Sequence, residues 1–247
     1  MGLLVNIVMR PCLEFWGRKW NSLDIATAVV FFILHCLCVI APFHFTWPAF
    51  WVACALYLVT GLGVTLSFHR NLAHKSFRLP KWLEYLFAYF GVLSLQGSPI
   101  EWVSSHRYHH QFTDTEKDVH SPRRGFWFSH MGWILDSGSR FGKYGGLKNV
   151  EDLKRQPFYM FLHRTYLLHS IVLLGSLLYA AGGVPFLVWG MGVRMLVTCG
   201  VNKYITPVIC QGTIGGWVCL HLEKDGTTII MLLITQLDKV SNGGKLT

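Results

Sequence analysis

Trp47-Pro-Ala-Phe-Trp-Val-Ala-Cys-Ala-Leu-Tyr-Leu-Val-Thr-Gly-Leu-Gly-Val-Thr-Leu-Ser-Phe68 runs without one charged residue straight into His69-Arg-Asn-Leu-Ala-His74. The apolar part is long enough to cross a bilayer as a helix at about 1.5 Å of rise per residue. The two histidines then stand where that helix leaves the membrane. Further along the chain comes a second box, His106-Arg-Tyr-His109-His110. On a helix, positions three and four apart share a face, so His106, His109 and His110 point roughly one way. His69 and His74 are five apart, within reach of each other around one turn at a helix end. Neutral imidazole is a common ligand for iron, zinc and copper. The two boxes together read as a metal site, with His69, His74, His106, His109 and His110 as its ligands. Asp114 and Asp118 follow the second box closely enough to orient its imidazoles. His35, His44, His130, His163, His169 and His221 read as surface or hydrogen-bonded residues.

Composition agrees with a membrane setting. Hydrophobic residues make up 52% of the 247 and charged residues 14%, against about 25% charged in a soluble domain. The length suits one compact unit rather than two. The net charge of +9 fits cytosolic loops rich in Lys and Arg; no nucleic-acid-binding motif accompanies it, which argues against such a partner. The 7 cysteines form no CxxC pair and read as buried free thiols.

Working outward, a first span from about Ile25 to Phe45 precedes the quoted one, and the uncharged Pro42-Phe-His-Phe-Thr-Trp-Pro48 joins them as a tight hairpin. Trp82 to Leu95 is short and contains Glu84, so it reads as an interfacial or re-entrant helix. A last apolar segment from about Tyr166 to Val188 is interrupted by Gly182-Gly183 and Pro185, one span and the start of another. The fold class is therefore all-α integral membrane, with about three to four transmembrane helices and a cytosolic helical cap carrying the His boxes. Arg10, Arg18 and Lys19 precede the first span, none separates the first two, and many Lys and Arg residues lie between Arg70 and Arg164. The positive-inside rule puts the N-terminus and residues 69–164 in the cytosol. No cleavable signal peptide is evident, and Asn6 breaks the myristoylation pattern.

With these stretches in view, the chain resembles the membrane-bound fatty-acid desaturases, most closely the plant Δ9 acyl-lipid/acyl-CoA desaturase-like proteins. The resemblance is carried by Arg18-Lys-Trp-Asn-Ser-Leu-Asp24, Phe68-His-Arg-Asn-Leu-Ala-His74, Trp102-Val-Ser-Ser-His-Arg-Tyr-His-His-Gln-Phe-Thr-Asp114, Gly125-Phe-Trp-Phe-Ser-His-Met-Gly-Trp133 and Asn149-Val-Glu-Asp-Leu-Lys-Arg155. It covers about residues 17–194. It implies an oxidoreductase that introduces a cis double bond into an acyl-lipid or acyl-CoA with O₂ and a di-iron centre. It also implies a cytochrome b5-type electron donor and a place in the endoplasmic reticulum membrane, or less readily a plastid membrane.

The same resemblance implies a third box of the HNNHH type and an N-S-x-x-H segment before it; neither occurs after Arg194. The box histidines then hold one iron in part and do not enclose two, so the chain as it stands is expected to be inactive. Read one base earlier, permitted codons for Glu223-Lys-Asp-Gly-Thr-Thr-Ile-Ile-Met-Leu232 spell GEGWHNNHHA. Those for Ile205 to Trp217 spell NTGDLSRNNWW, and those for Leu196 to Val201 spell CHVWG. These are the family's C-terminal segments in order. The expected organisation is a truncated desaturase domain over 1–194 and an aberrant, unstructured tail over 195–247. The alternative from another class is a non-catalytic membrane metal-binding or interaction protein.

Overall fold

A computed structural model describes residue 15 and residues 17–200 except 114, 125, 144 and 145. Among these residues the chain is helical, with no strand. The first helix, α1, spans Ser22–Ile40. Asn21 and Asp24 start it as a reciprocal capping box: the Asn21 side chain accepts from Asp24 N at 2.9 Å, and Asp24 Oδ2 accepts from Asn21 N at 3.4 Å. This satisfies two of the amide groups that every helix start leaves without an internal partner. Asp24 also accepts from Ser137 N and Oγ, at 2.9 and 2.7 Å, and pairs with Arg18 at 2.6 Å. The start of the first span is thereby tied to the cap.

Thr46 caps the second helix, with Pro in its first turn where a missing N–H costs nothing. This helix, α2, runs through Trp47–Leu62 and continues as a wide π-type coil over Gly63–Ala73. A 12-residue helix, α3 (Lys81–Val92), lies against that coil. The approach is close because both helices present glycine: a Cβ on Gly63 would stand 2.5 Å from the Phe90 carbonyl carbon and 2.7 Å from Gly91 Cα. α3 is too short to span; it buries Leu83, Ala88 and Val92 and leaves Trp82 exposed, as an interfacial helix does. Ser98 and Glu101 form the capping box of α4, Pro99–Phe112. Among the described residues, short turns between 115 and 156 make the rest of the cap.

The last apolar segment is longer than hydropathy suggested. It starts at Pro157, nine residues before Tyr166, with Pro in its first turn and the polar His163 and Arg164 on the turns nearest the cap. The candidate span Pro157–Thr198 covers 42 residues, about twice what a ~30 Å hydrocarbon layer needs at ~1.5 Å per residue. The backbone breaks at Gly182 and at Gly183, whose φ of 64° and ψ of −151° only glycine adopts readily. α5 (157–181) and α6 (184–200) therefore fold back on each other. Leu174, Leu178 and Met191 pack together across the turn. α6 also packs on α1 and α2. With Ser22–His44 and Trp47–Ala73 as the other two candidate spans, the chain is an all-α integral membrane protein.

Two details differ from the sequence reading. Cys36, Cys38 and Cys54 are free thiols but not buried; Cys36 is exposed on the flank of α1. Residues 195–200 continue α6, with Met195 and Thr198 buried. The remainder of the expected aberrant tail lies outside the described residues.

Candidate metal centre

The wide coil at the end of α2 explains how His69 and His74 share a face. His74 N donates to His69 O at 3.0 Å, an i→i+5 bond that widens the turn until residues five apart stand above one another. Their Nε2 atoms are 3.1 Å apart. α4 brings the second box to the same point: His106 Nε2 is 3.0 Å from His74 Nε2. His110 completes the group, its ring centroid 4.6 Å from that of His74 and 4.5 Å from that of His106. One ligating nitrogen from each of His69, His74, His106 and His110 lies within 4.8 Å of the others.

These spacings fit a transition-metal ion. Two nitrogens at about 2.1 Å from one ion and at right angles to each other stand about 3.0 Å apart. The electrostatics agree. Burial, then the neighbouring imidazoles, push His106 down to about 2, and the same causes lower His110. Both rings are therefore neutral at physiological pH, the form that ligates.

His109 stands apart from the other four expected ligands. Its Nδ1 donates to Asp118 Oδ1 at 2.9 Å. Burial alone would raise the Asp118 carboxyl, but the His109 hydrogen bond, the nearby His120 and the His120 backbone N–H outweigh it and hold it low. Asp118 is thus a buried carboxylate that orients a box imidazole and leaves its Nε2 available. His120, passed over in the sequence, joins this group: its N–H donates to Asp118 Oδ1 at 3.2 Å, and its ring centroid is 4.0 Å from that of His109. Asp118-Val-His120, a carboxylate and imidazole two apart just beyond a His box, was the available signal. Asp114 lies outside the described residues. His163 and His169 bond to Ser98 and Tyr89 and sit in neither group.

A cavity of about 280 Å³ adjoins both groups, with His106, His120, Trp102 and Trp133 in its lining. Its apolar wall comes from Leu23, Ala26, Val30 and Leu34 on one stripe of α1, with Leu167 and Met195. The family model for fatty acid desaturase matches residues 14–213.

The chain belongs to the fatty acid desaturase family.

Relatives agree on the family and differ in their stated substrates. This desaturase-family chain is 58% identical over 192 residues to Delta-9 acyl-lipid desaturase 1 of Arabidopsis thaliana, covering 76% of this chain and 63% of the relative. It is 57% identical over 183 residues to the chloroplastic palmitoyl-monogalactosyldiacylglycerol delta-7 desaturase of the same plant, 74% and 49% of the two chains. It is 54% identical over 193 residues to icosanoyl-CoA 5-desaturase of Limnanthes douglasii, 77% and 54%. The chain thus spans about half to two thirds of the length of these relatives. The three names carry three double-bond positions and both lipid and CoA carriers at nearly equal identity, so identity does not choose among them.

Proposed function

We propose that the chain carries part of an O₂-dependent acyl desaturase centre, with His69, His74, His106 and His110 around one iron and His109, held by Asp118, as a ligand for a second. Asp114 is proposed to orient the second box in the same way. The observation that carries this reading is the convergence of imidazoles from two separate boxes, with nitrogens 3.0 and 3.1 Å apart, beside an apolar cavity. Iron bound there would supply O₂ activation and the removal of hydrogens from an unactivated acyl chain. The protein's own part is to hold the acyl chain along the α1 stripe, keep water from the site and, by burial, keep His106 neutral. The substrate is an acyl-lipid or acyl-CoA, and electrons come from a cytochrome b5-type donor at the cytosolic face. The membrane is that of the endoplasmic reticulum, with the plastid as the alternative.

The HNNHH box that the family resemblance calls for occurs nowhere in this sequence. As it stands the chain is therefore proposed to make no product, and residues 195–247 are proposed to be a frame-shifted tail behind a truncated domain 1–194. Expression in a desaturase-deficient yeast, with fatty acids measured by gas chromatography, tests both points. No unsaturated product is expected from this chain, and product is expected from a version with the frame restored near Arg194. Product from the chain as it stands overturns the loss of activity. No product from the restored version overturns the frame-shift account.

A further inference from the structure

We propose that Arg107, which lies inside the second His box, is the positioning residue that fixes the first box against the second. The inference rests on the metal reading above. Leu72 lies in the last turn of α2, where carbonyls have no partner within the helix. Arg107 Nη2 donates to Leu72 O at 2.7 Å and to Asp152 Oδ2 at 2.9 Å. Its Nη1 donates to Asp152 Oδ1 at 2.9 Å and to Asn149 O at 2.7 Å. Both hydrogens on each terminal nitrogen are thereby used, and one planar group joins the end of α2, the middle of α4 and the 149–152 turn.

The connection closes on itself. Lys75 Nζ, one residue beyond His74, pairs with Asp152 Oδ2 at 3.0 Å. Lys75 has a φ of 51°, a conformation a lysine rarely holds unless its surroundings impose it. Asn149 is itself fixed to α4: its Nδ2 donates to Ser104 O at 2.9 Å, and Ser104 Oγ donates to its Oδ1 at 2.7 Å. Burial would raise the Asp152 carboxyl, but the hydrogen bonds from Arg107 and Lys75 overcome it and hold it at about 2. The carboxylate is charged throughout the physiological range.

Arg107 touches none of the box imidazoles in these bonds, so it acts through the backbone. It holds the carbonyl two residues before His74 at a set distance from the residue that follows His106. Lysine cannot replace it. An ammonium group has one nitrogen and three N–H bonds, and cannot meet two carboxylate oxygens and two diverging carbonyls in one plane.

The test uses the full chain in nanodiscs, with cobalt(II) as the metal probe. Affinity and the d–d absorption bands report ligand geometry, which a merely structural role would leave alone. R107K is expected to keep the helix content of the parent, to bind cobalt at least ten-fold more weakly and to shift the bands. D152N, which keeps the shape and loses the charge, is expected to fall between the two. Amide exchange across residues 70–76 in metal-free protein supplies a second readout and is expected to quicken in both variants. Parent-like affinity, bands and exchange in R107K, or in D152N should R107K fail to fold, overturn the proposal. A parent chain that binds no cobalt instead overturns the metal reading, while the exchange measurement still decides whether Arg107 holds the first box.

Discussion

His74 Nε2 stands 3.0 Å from His106 Nε2, although 32 positions separate the two residues in the chain. Neither helix achieves this alone. α2 delivers His74 by widening its last turns, and α4 delivers His106 from a capped start at Ser98. Two imidazoles facing nitrogen to nitrogen offer one hydrogen bond at best, whereas an ion between them engages a lone pair of each.

H74A and H106A are each expected to weaken Fe(II) or Co(II) binding at least ten-fold, since each removes a ligand. H163A is the matched control: it loses the bond to Ser98 and no nitrogen of the cluster. Metal titration of the three purified variants checks this. Equal losses in all three would mean that the histidines act through stability alone.

D118N is expected to weaken metal binding by roughly 10–100-fold, the usual cost of losing a carboxylate that orients a ligating imidazole. The amide can still accept from His109 Nδ1, so helix content should not change. Binding equal to that of the parent would leave Asp118 a structural carboxylate only.

G63A is expected to destabilise the chain by roughly 1–3 kcal/mol or more, because the added Cβ meets the α3 backbone, which cannot turn aside as a side chain can. G61A provides the contrast: nothing stands within 4 Å of its Cβ, so it should be neutral or mildly stabilising by up to ~1 kcal/mol. Thermal unfolding of both in the same detergent decides. Similar melting temperatures would show that the helices part without cost.

Tags placed at position 1 and near Asp136 should both be digested by protease added to intact microsomes, as the charge asymmetry around the first hairpin requires. Asp24, at the start of α1, bonds to Ser137 in the cap, so residues near Asp136 and the start of α1 lie at the same end of the helices. Protection of either tag contradicts the cytosolic placement.

Much of this was legible in the sequence because it follows from local patterns. Uncharged apolar runs marked α1 and α2, and the short run with Glu84 marked a helix that does not span. Gly182-Gly183 marked the turn between α5 and α6. That His69, His74, His106 and His110 would meet in space was legible because box spacing survives in sequence. The separation of His109 from that site was not, since it depends on Asp118, whose burial is set by the cap's tertiary packing. His120 escaped for the same reason: a lone histidine acquires meaning only beside a carboxylate brought close in space. The Gly63 contact with α3 and the four bonds of Arg107 join residues far apart in the chain, and no periodicity announces them.

If the two His boxes form one iron site, the imidazoles of His69, His74, His106 and His110 are its ligands. Iron X-ray absorption on the purified full chain, loaded anaerobically with Fe(II) and compared with the H74A/H106A double variant, tests it most directly. Fewer than two irons per chain, a shell of imidazole nitrogens at about 2.1 Å in the parent, and loss of that shell in the double variant are expected. A parent chain that retains no iron, or an imidazole shell that survives both substitutions, would contradict it.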